Sequence, residues 1–158
     1  MPVKPLVWAP VQQGVHFPHM AKHDAVIWER FLTRFTGYFD RVAYDIALGG
    51  AEPTDPAATA AERRMWRFNT AKRIDAAIRN AEEIWLCEVR KGAGLAAVGA
   101  VLGYLILSEL DKWADAPLIP TLVTDATDED IKLVCRELDI QVIEFPDPPA
   151  APITEEDL

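Results

Sequence analysis

Apolar side chains recur every four residues at Ile27, Phe31 and Phe35, with Trp28 and Leu32 beside them, while Glu29 and Arg30 fall toward the other side. That period predicts an amphipathic helix, capped by Asp24 and ended before Gly37. The run Arg41–Leu48 reads as a strand stopped by Gly49-Gly50. Residues 51–65, with Pro53, Pro56 and an alanine stretch, read as an exposed excursion. Two strands are expected near 67–79 and 83–90, broken by Gly92 and Gly94. A helix from Leu95 to about Trp113 carries Ala96, Gly99, Ala100 and Gly103 on one side, the side expected to lie close against a sheet. Leu118–Thr124 reads as a buried strand. Thr127-Asp128-Glu129-Asp130 resembles a capping box, opening a helix that turns Ile131, Val134, Cys135 and Leu138 inward, and 140–145 reads as a last strand.

The expected order is α-β-β-β-α-β-α-β. Strands joined through helices pair in parallel, and the first three can form a meander. The expectation is an α/β domain, a mixed sheet of about five strands flanked by helices. It occupies residues 23–145, between a proline-containing arm (1–22) and a proline-rich, acidic tail (146–158).

Half of the 158 residues are apolar, enough for one packed core. The net charge of −9 is uneven, for only Lys112, Lys132 and Arg136 are basic after Lys91. Such a balance opposes general nucleic-acid binding, which rests on Lys and Arg. Locally, however, Arg63, Arg64, Arg67, Lys72, Arg73, Arg79, Arg90 and Lys91 crowd one segment and offer either a phosphate-facing patch or solvated strand edges. Cys87 and Cys135 sit in apolar runs and read as core thiols in a reducing compartment. The start, Met1-Pro2-Val3-Lys4-Pro5, does not read as a secretory leader. The apolar run 95–107 is short of the roughly 20 residues that span a bilayer, so the chain is expected to be neither secreted nor membrane-bound. His16, His19 and His23 are loosely spaced, without cysteine or clustered acid, and are not expected to bind metal.

The chemistry concentrates in Arg73-Ile74-Asp75 and in Ile84-Trp85-Leu86-Cys87-Glu88-Val89-Arg90-Lys91. Strand alternation puts Glu88 and Arg90 on one face, and Arg73 with Asp75. A hairpin symmetric about Ala81-Glu82 sets Asp75 opposite Glu88 and Arg73 opposite Arg90. Opposed carboxylates destabilise a strand pair and push one of them toward protonation. Either a divalent cation such as Mg²⁺ or the arginines would compensate. The first arrangement is a phosphodiester-cleaving centre and the second a salt-bridge lattice.

With Asp75 on the second strand and Glu88-Val89-Arg90 on the third, this order resembles the PD-(D/E)xK nuclease superfamily. The stretch from Arg73 to Arg90, the following Gly94–Tyr104, the Phe17-Pro18-His19-Met20 segment and the 27–32 helix together resemble a group of short proteins encoded by tailed bacteriophages. The resemblance covers roughly residues 17–145 and implies a restriction-endonuclease-like core. It further implies Mg²⁺ on Asp75 and Glu88, joined in some members by an acid of the first helix (here Glu29), with Arg90 in the catalytic position, where it would hold the phosphate; Arg73 and Lys91 are further phosphate-binding candidates. Two departures matter. Arg90 replaces a lysine, and arginine stays charged, positioning or neutralising rather than transferring a proton; Lys91 faces the other side, and Lys72 would reach the site only on a kinked strand. Ala100 stands near where relatives often carry a supporting glutamine.

Together with the acidic balance and the arms, these departures imply a virion or assembly protein of the head or neck region, in the particle or the host cytoplasm. Its partners would be other virion proteins and copies of itself. The alternative is a Mg²⁺-dependent DNA nuclease in phage DNA processing. A third reading, a regulatory protein–protein module, would need an apolar patch such as Trp8, Trp66 and Trp113 could form.

Overall fold

The computed structural model describes residues 6–147. Pro2, Pro5 and most of the proline-rich acidic tail lie outside them. The described elements are β1 (Ala9–Pro10), α1 (Lys22–Arg34), β2 (Arg41–Leu48), α2 (Ala60–Thr70), β3 (Lys72–Arg79), β4 (Ile84–Arg90), α3 (Leu95–Asp111), β5 (Leu118–Thr124), α4 (Glu129–Glu137) and β6 (Gln141–Glu144). The fold is α/β, as the periodicity predicts. Its mixed sheet holds six strands in the order β1-β2-β3-β4-β5-β6. β1 to β4 pair antiparallel, and β4-β5 and β5-β6 pair parallel through α3 and α4. The extra strand is the two-residue edge β1.

One face of the sheet packs on α1. Ile27, Trp28, Phe31 and Leu32 are buried there against Val42, Ala76, Ile78, Trp85, Cys87 and Val89. Trp28 stacks on Phe31 with ring centroids 4.6 Å apart and donates its indole N–H to the Tyr44 hydroxyl at 2.9 Å. Each such fully buried aromatic contributes roughly 1.5–3 kcal/mol. On the opposite face, Leu122, Ile131 and Cys135 pack with Ala97, Val98 and Val101 of α3. Beside them, Ile46, Ile74, Ile84 and Leu86 meet Tyr104, Leu105 and Leu107. Both cysteines are buried and reduced.

Several local expectations change. Asp24 lies in the first turn of α1; Ala21 is its N-cap, with no side-chain cap bond. Residues 60–70 form a true helix, so the excursion is shorter than 51–65 and β3 starts at Lys72 rather than near 67. The cause is a reciprocal capping box: Thr59 accepts from the Glu62 amide at 3.2 Å, and Glu62 accepts from the Thr59 amide at 2.7 Å. α2 buries none of its residues, and Met65, Trp66 and Phe68 are exposed. α3 meets the sheet through Ala97, Val98 and Val101 rather than through its small-residue side. A Cβ added at Gly99 or Gly103 would meet nothing within 4 Å. α3 ends at Asp111, with Lys112 left-handed at its C-cap (φ 51°). Asp128 caps α4 by accepting from the Ile131 amide at 2.9 Å, while Leu138 stays exposed.

Since α2 rests on its cap rather than on the core, Thr59→Ala should cost about 1 kcal/mol, confined to that helix. Hydrogen exchange should speed up roughly fivefold across 60–70, with the global melting temperature unmoved. A general loss of stability would contradict this account of α2.

Candidate functional site

The β3-β4 register is the expected one: Ala76 pairs with Cys87, Ala77 with Leu86, Ile78 with Trp85 and Arg79 with Ile84. The turn is set by Asn80, whose side-chain oxygen accepts from the amides of Glu82 (2.9 Å) and Glu83 (3.1 Å). Extended by one residue, this register brings Asp75 to Glu88. The backbone ladder, however, stops at Ala76-Cys87. The Asp75 carboxyl replaces it, its Oδ2 accepting the Val89 amide at 2.8 Å.

Simple alternation fails at this point. Asp45 of β2 adopts φ 50°, and the pairs Tyr44–Ala76 and Ile46–Ile74 flank it. Tyr44 and Ala76 belong to the α1 side, yet Ile46 and Ile74 belong to the α3 side. A regular strand would put residues two apart on one face. Both strands therefore change face at Asp45 and Asp75, so simple alternation does not carry from Asp75 to Arg73. Arg73 is drawn to its neighbouring strand instead. Its guanidinium donates to Asp45 Oδ2 at 3.1 Å and lies 4.1 Å from the Phe68 ring centroid.

Glu88 follows the expected geometry. It is 2% exposed, on the α3 side of β4. Arg90 donates to its Oε1 at 2.6 Å, and the Tyr104 hydroxyl donates to its Oε2 at 2.9 Å. Asp75 shares a hydrogen bond with Glu88. Burial, then the charge of Glu88, push the Asp75 carboxyl up to about 7, well above the usual carboxylate range. The Glu88 carboxylate holds the Arg90 guanidinium above its usual range. Burial and Glu88 together raise the Tyr104 phenol far above its own. The polar group that α3 supplies is thus Tyr104, one turn beyond Ala100.

The remaining candidates separate. Glu29 is on the α1 side and accepts from the Gly14 amide at 2.8 Å, so it does not join Asp75 and Glu88. The first-helix acid that acts on the pair is Asp24. It contributes to the rise of both Asp75 and Arg90 and accepts the Lys91 amide at 2.9 Å. Reading it as a cap concealed this role. The signal was its place at the start of α1, which packs across the end of β4. The Lys91 side chain turns away toward Asp125. Lys72 and Arg73 line a cleft of about 270 Å³ with Gly99, Ala100, Gly103 and Tyr104, beside the acid pair. The other crowded cations disperse: Arg63 and Arg67 meet Glu52, and Arg79 meets Asp115 at 2.7 Å.

Measured against a Mg²⁺ site, this donor set fits poorly. Both Glu88 oxygens and one Asp75 oxygen already accept hydrogen bonds. Among the described residues, no group of three or more His, Cys, Asp and Glu stands close enough to hold a metal. As arranged, the cluster is a buried carboxyl pair braced by a guanidinium and a phenol.

With its folded pKa above the unfolded carboxylate value of about 3.9, Asp75 binds a proton between about pH 4 and 7 in the folded state but not in the unfolded state. Stability therefore falls as pH rises through that window, by an amount on the order of a few kcal/mol. Asp75→Asn mimics the protonated side chain. It should raise the melting temperature at pH 8, leave it nearly unchanged at pH 5 and flatten the slope between. Parallel profiles for the two proteins would show that Asp75 does not carry the proton. No family model, curated protein or solved structure matches this chain.

Proposed function

We propose that this chain is a structural or assembly protein of a tailed-phage particle, in the head or neck region, built on a restriction-endonuclease-like core whose acid pair has become an internal brace. The observation that carries the non-catalytic half is the engagement of both Glu88 oxygens, with Arg90 on one and Tyr104 on the other. A fixed guanidinium at that distance stabilises a buried carboxylate and offers no proton-transfer group for activating water. The phage setting rests on the resemblance of 17–145 to short phage-encoded proteins.

An assembly role is supported by the apolar surface left over by folding. Met65, Trp66 and Phe68 project from α2, and Leu95, Ile106 and Leu110 from α3. These faces suit contacts with virion proteins or further copies of the chain. Of the tryptophans weighed for a docking patch, Trp8 and Trp113 pack against each other at 6.3 Å, and Trp66 alone is largely exposed. No helix among the described residues is long and apolar enough to cross a membrane, in keeping with a place in the virion or the host cytoplasm.

A second reading, Mg²⁺-dependent DNA cleavage, draws on the convergence of Asp75 and Glu88 beside the Lys72–Arg73 cleft. For it, a cation would have to displace Arg90 from Glu88 and the proton from Asp75.

The deciding experiment is incubation of linear and circular DNA with the protein in Mg²⁺ and then Mn²⁺, beside Glu88→Ala and Glu88→Gln. The expected outcome is intact DNA throughout, with Glu88→Ala destabilised by roughly 1–3 kcal/mol through the orphaned Tyr104 and Arg90 donors. Metal-dependent cleavage that disappears in both variants would replace the structural reading with the nuclease one.

A further inference from the structure

From Leu95 to Leu107, α3 carries no charged side chain on any side, the composition of a helix that is covered all round. Within one chain it is covered on one side only. Ala97, Val98 and Val101 are buried toward the sheet. The opposite side stands in solvent, with Leu95 67%, Ile106 56% and Leu110 71% exposed. Gly99 and Gly103 lie on that same outer side, and a Cβ added at either would meet nothing within 4 Å. Glycine inside a helix weakens it relative to alanine, and nothing in the single chain uses the space these two leave. Large and small residues thus alternate along one seam: Leu95, Gly99, Leu102, Gly103, Ile106 and Leu110.

We propose that the α3 of a second copy covers this seam, the two helices running antiparallel about a two-fold axis between Leu102 and Gly103. That axis sets Gly99 opposite Ile106 and Gly103 opposite Leu102, so each glycine receives a large side chain of the other copy, while Leu95 meets Leu110 at the two ends. A two-fold contact has to complement itself in this way, and the order of residues along α3 does so. The charges agree. Among the exposed residues of α3 only Glu109 is charged, and it forms no ion pair among the described residues. The start of α3 has neither a side-chain cap bond nor an acid in its first turn. The same axis brings Glu109 opposite Ala96 in that first turn, where a carboxylate answers the positive end of the helix dipole. Helices of 17 residues are about 25 Å long, a contact at the small end of specific interfaces, so the dimer is expected to be reversible. The inference rests on the assembly reading for its need of a partner, and adds which partner and which face.

The test is sedimentation of the full-length chain over a range of concentrations, which should show a monomer–dimer equilibrium. Gly99→Leu has open space in the monomer, and Ile106→Lys changes an exposed position. Each should leave the circular dichroism of the fold unchanged and weaken the dimer at least about tenfold. Leu95→Cys mixed with Leu110→Cys under oxidised glutathione should form an intermolecular disulfide that neither variant forms alone, since like positions would stand about 22 Å apart along the helices. A monomer at every concentration up to about 200 µM, a dimer indifferent to both substitutions, or cross-linking within a single variant would each overturn the proposal. So would a dimer dissolved by Phe68→Asp and not by the α3 variants, for α2 would then be the contact. None of these results is read from DNA cleavage, which bears on the assembly reading alone.

Discussion

A carboxylate with almost no solvent exposure needs its charge answered from within the protein. Glu88 is answered by a guanidinium on its own strand and by a phenol from α3, and it stands beside Asp75, whose carboxyl is pushed toward its neutral form. Each partner comes from a different part of the fold, so the arrangement ties together β3, β4 and α3 where the antiparallel and parallel parts of the sheet meet. The ladder between β3 and β4 stops at this junction, and the Asp75 side chain takes over the next amide. Moving any partner would leave a buried donor or charge unanswered, a larger penalty than the bond itself is worth.

The flip at Asp45 and Asp75 makes this geometry possible. A strand that kept its alternation would hold Asp75 on one fixed face. By changing face together, β2 and β3 give the α3 core apolar side chains from both sides of the kink, Ala43 and Ala77 on one and Ile46, Leu48 and Ile74 on the other. The left-handed backbone of Asp45 is tolerated because aspartate is among the few side chains that adopt it and because Arg73 holds its carboxylate.

Much of this was legible in the sequence, for identifiable reasons. Runs such as 41–48 and 118–124 are bounded by glycine or by polar turns, so their extent is plain. The hairpin register was legible because a short turn leaves little freedom, and it correctly delivered Asp75 to Glu88. The kink was not, for one left-handed aspartate in a strand leaves no mark on hydropathy. The role of Asp24 was hidden because an acid at a helix start reads equally well as a cap. α2 was readable in principle: Thr59 and Glu62 are the signature of a capping box, masked by the alanines and prolines before them. The small-residue side of α3 misled because small side chains permit close packing without requiring it.

The short edge strand β1 has a consequence for how such a chain can associate. With two residues, one of them Pro10, it presents almost no unpaired amide hydrogens. It covers the start of β2, pairing with Arg41 and Val42. That end of the edge is therefore a poor template for adding a foreign strand. Copies or partners meeting this protein there must engage through side-chain surfaces, whose chemistry can be selective, rather than through the indiscriminate hydrogen bonding of bare backbone.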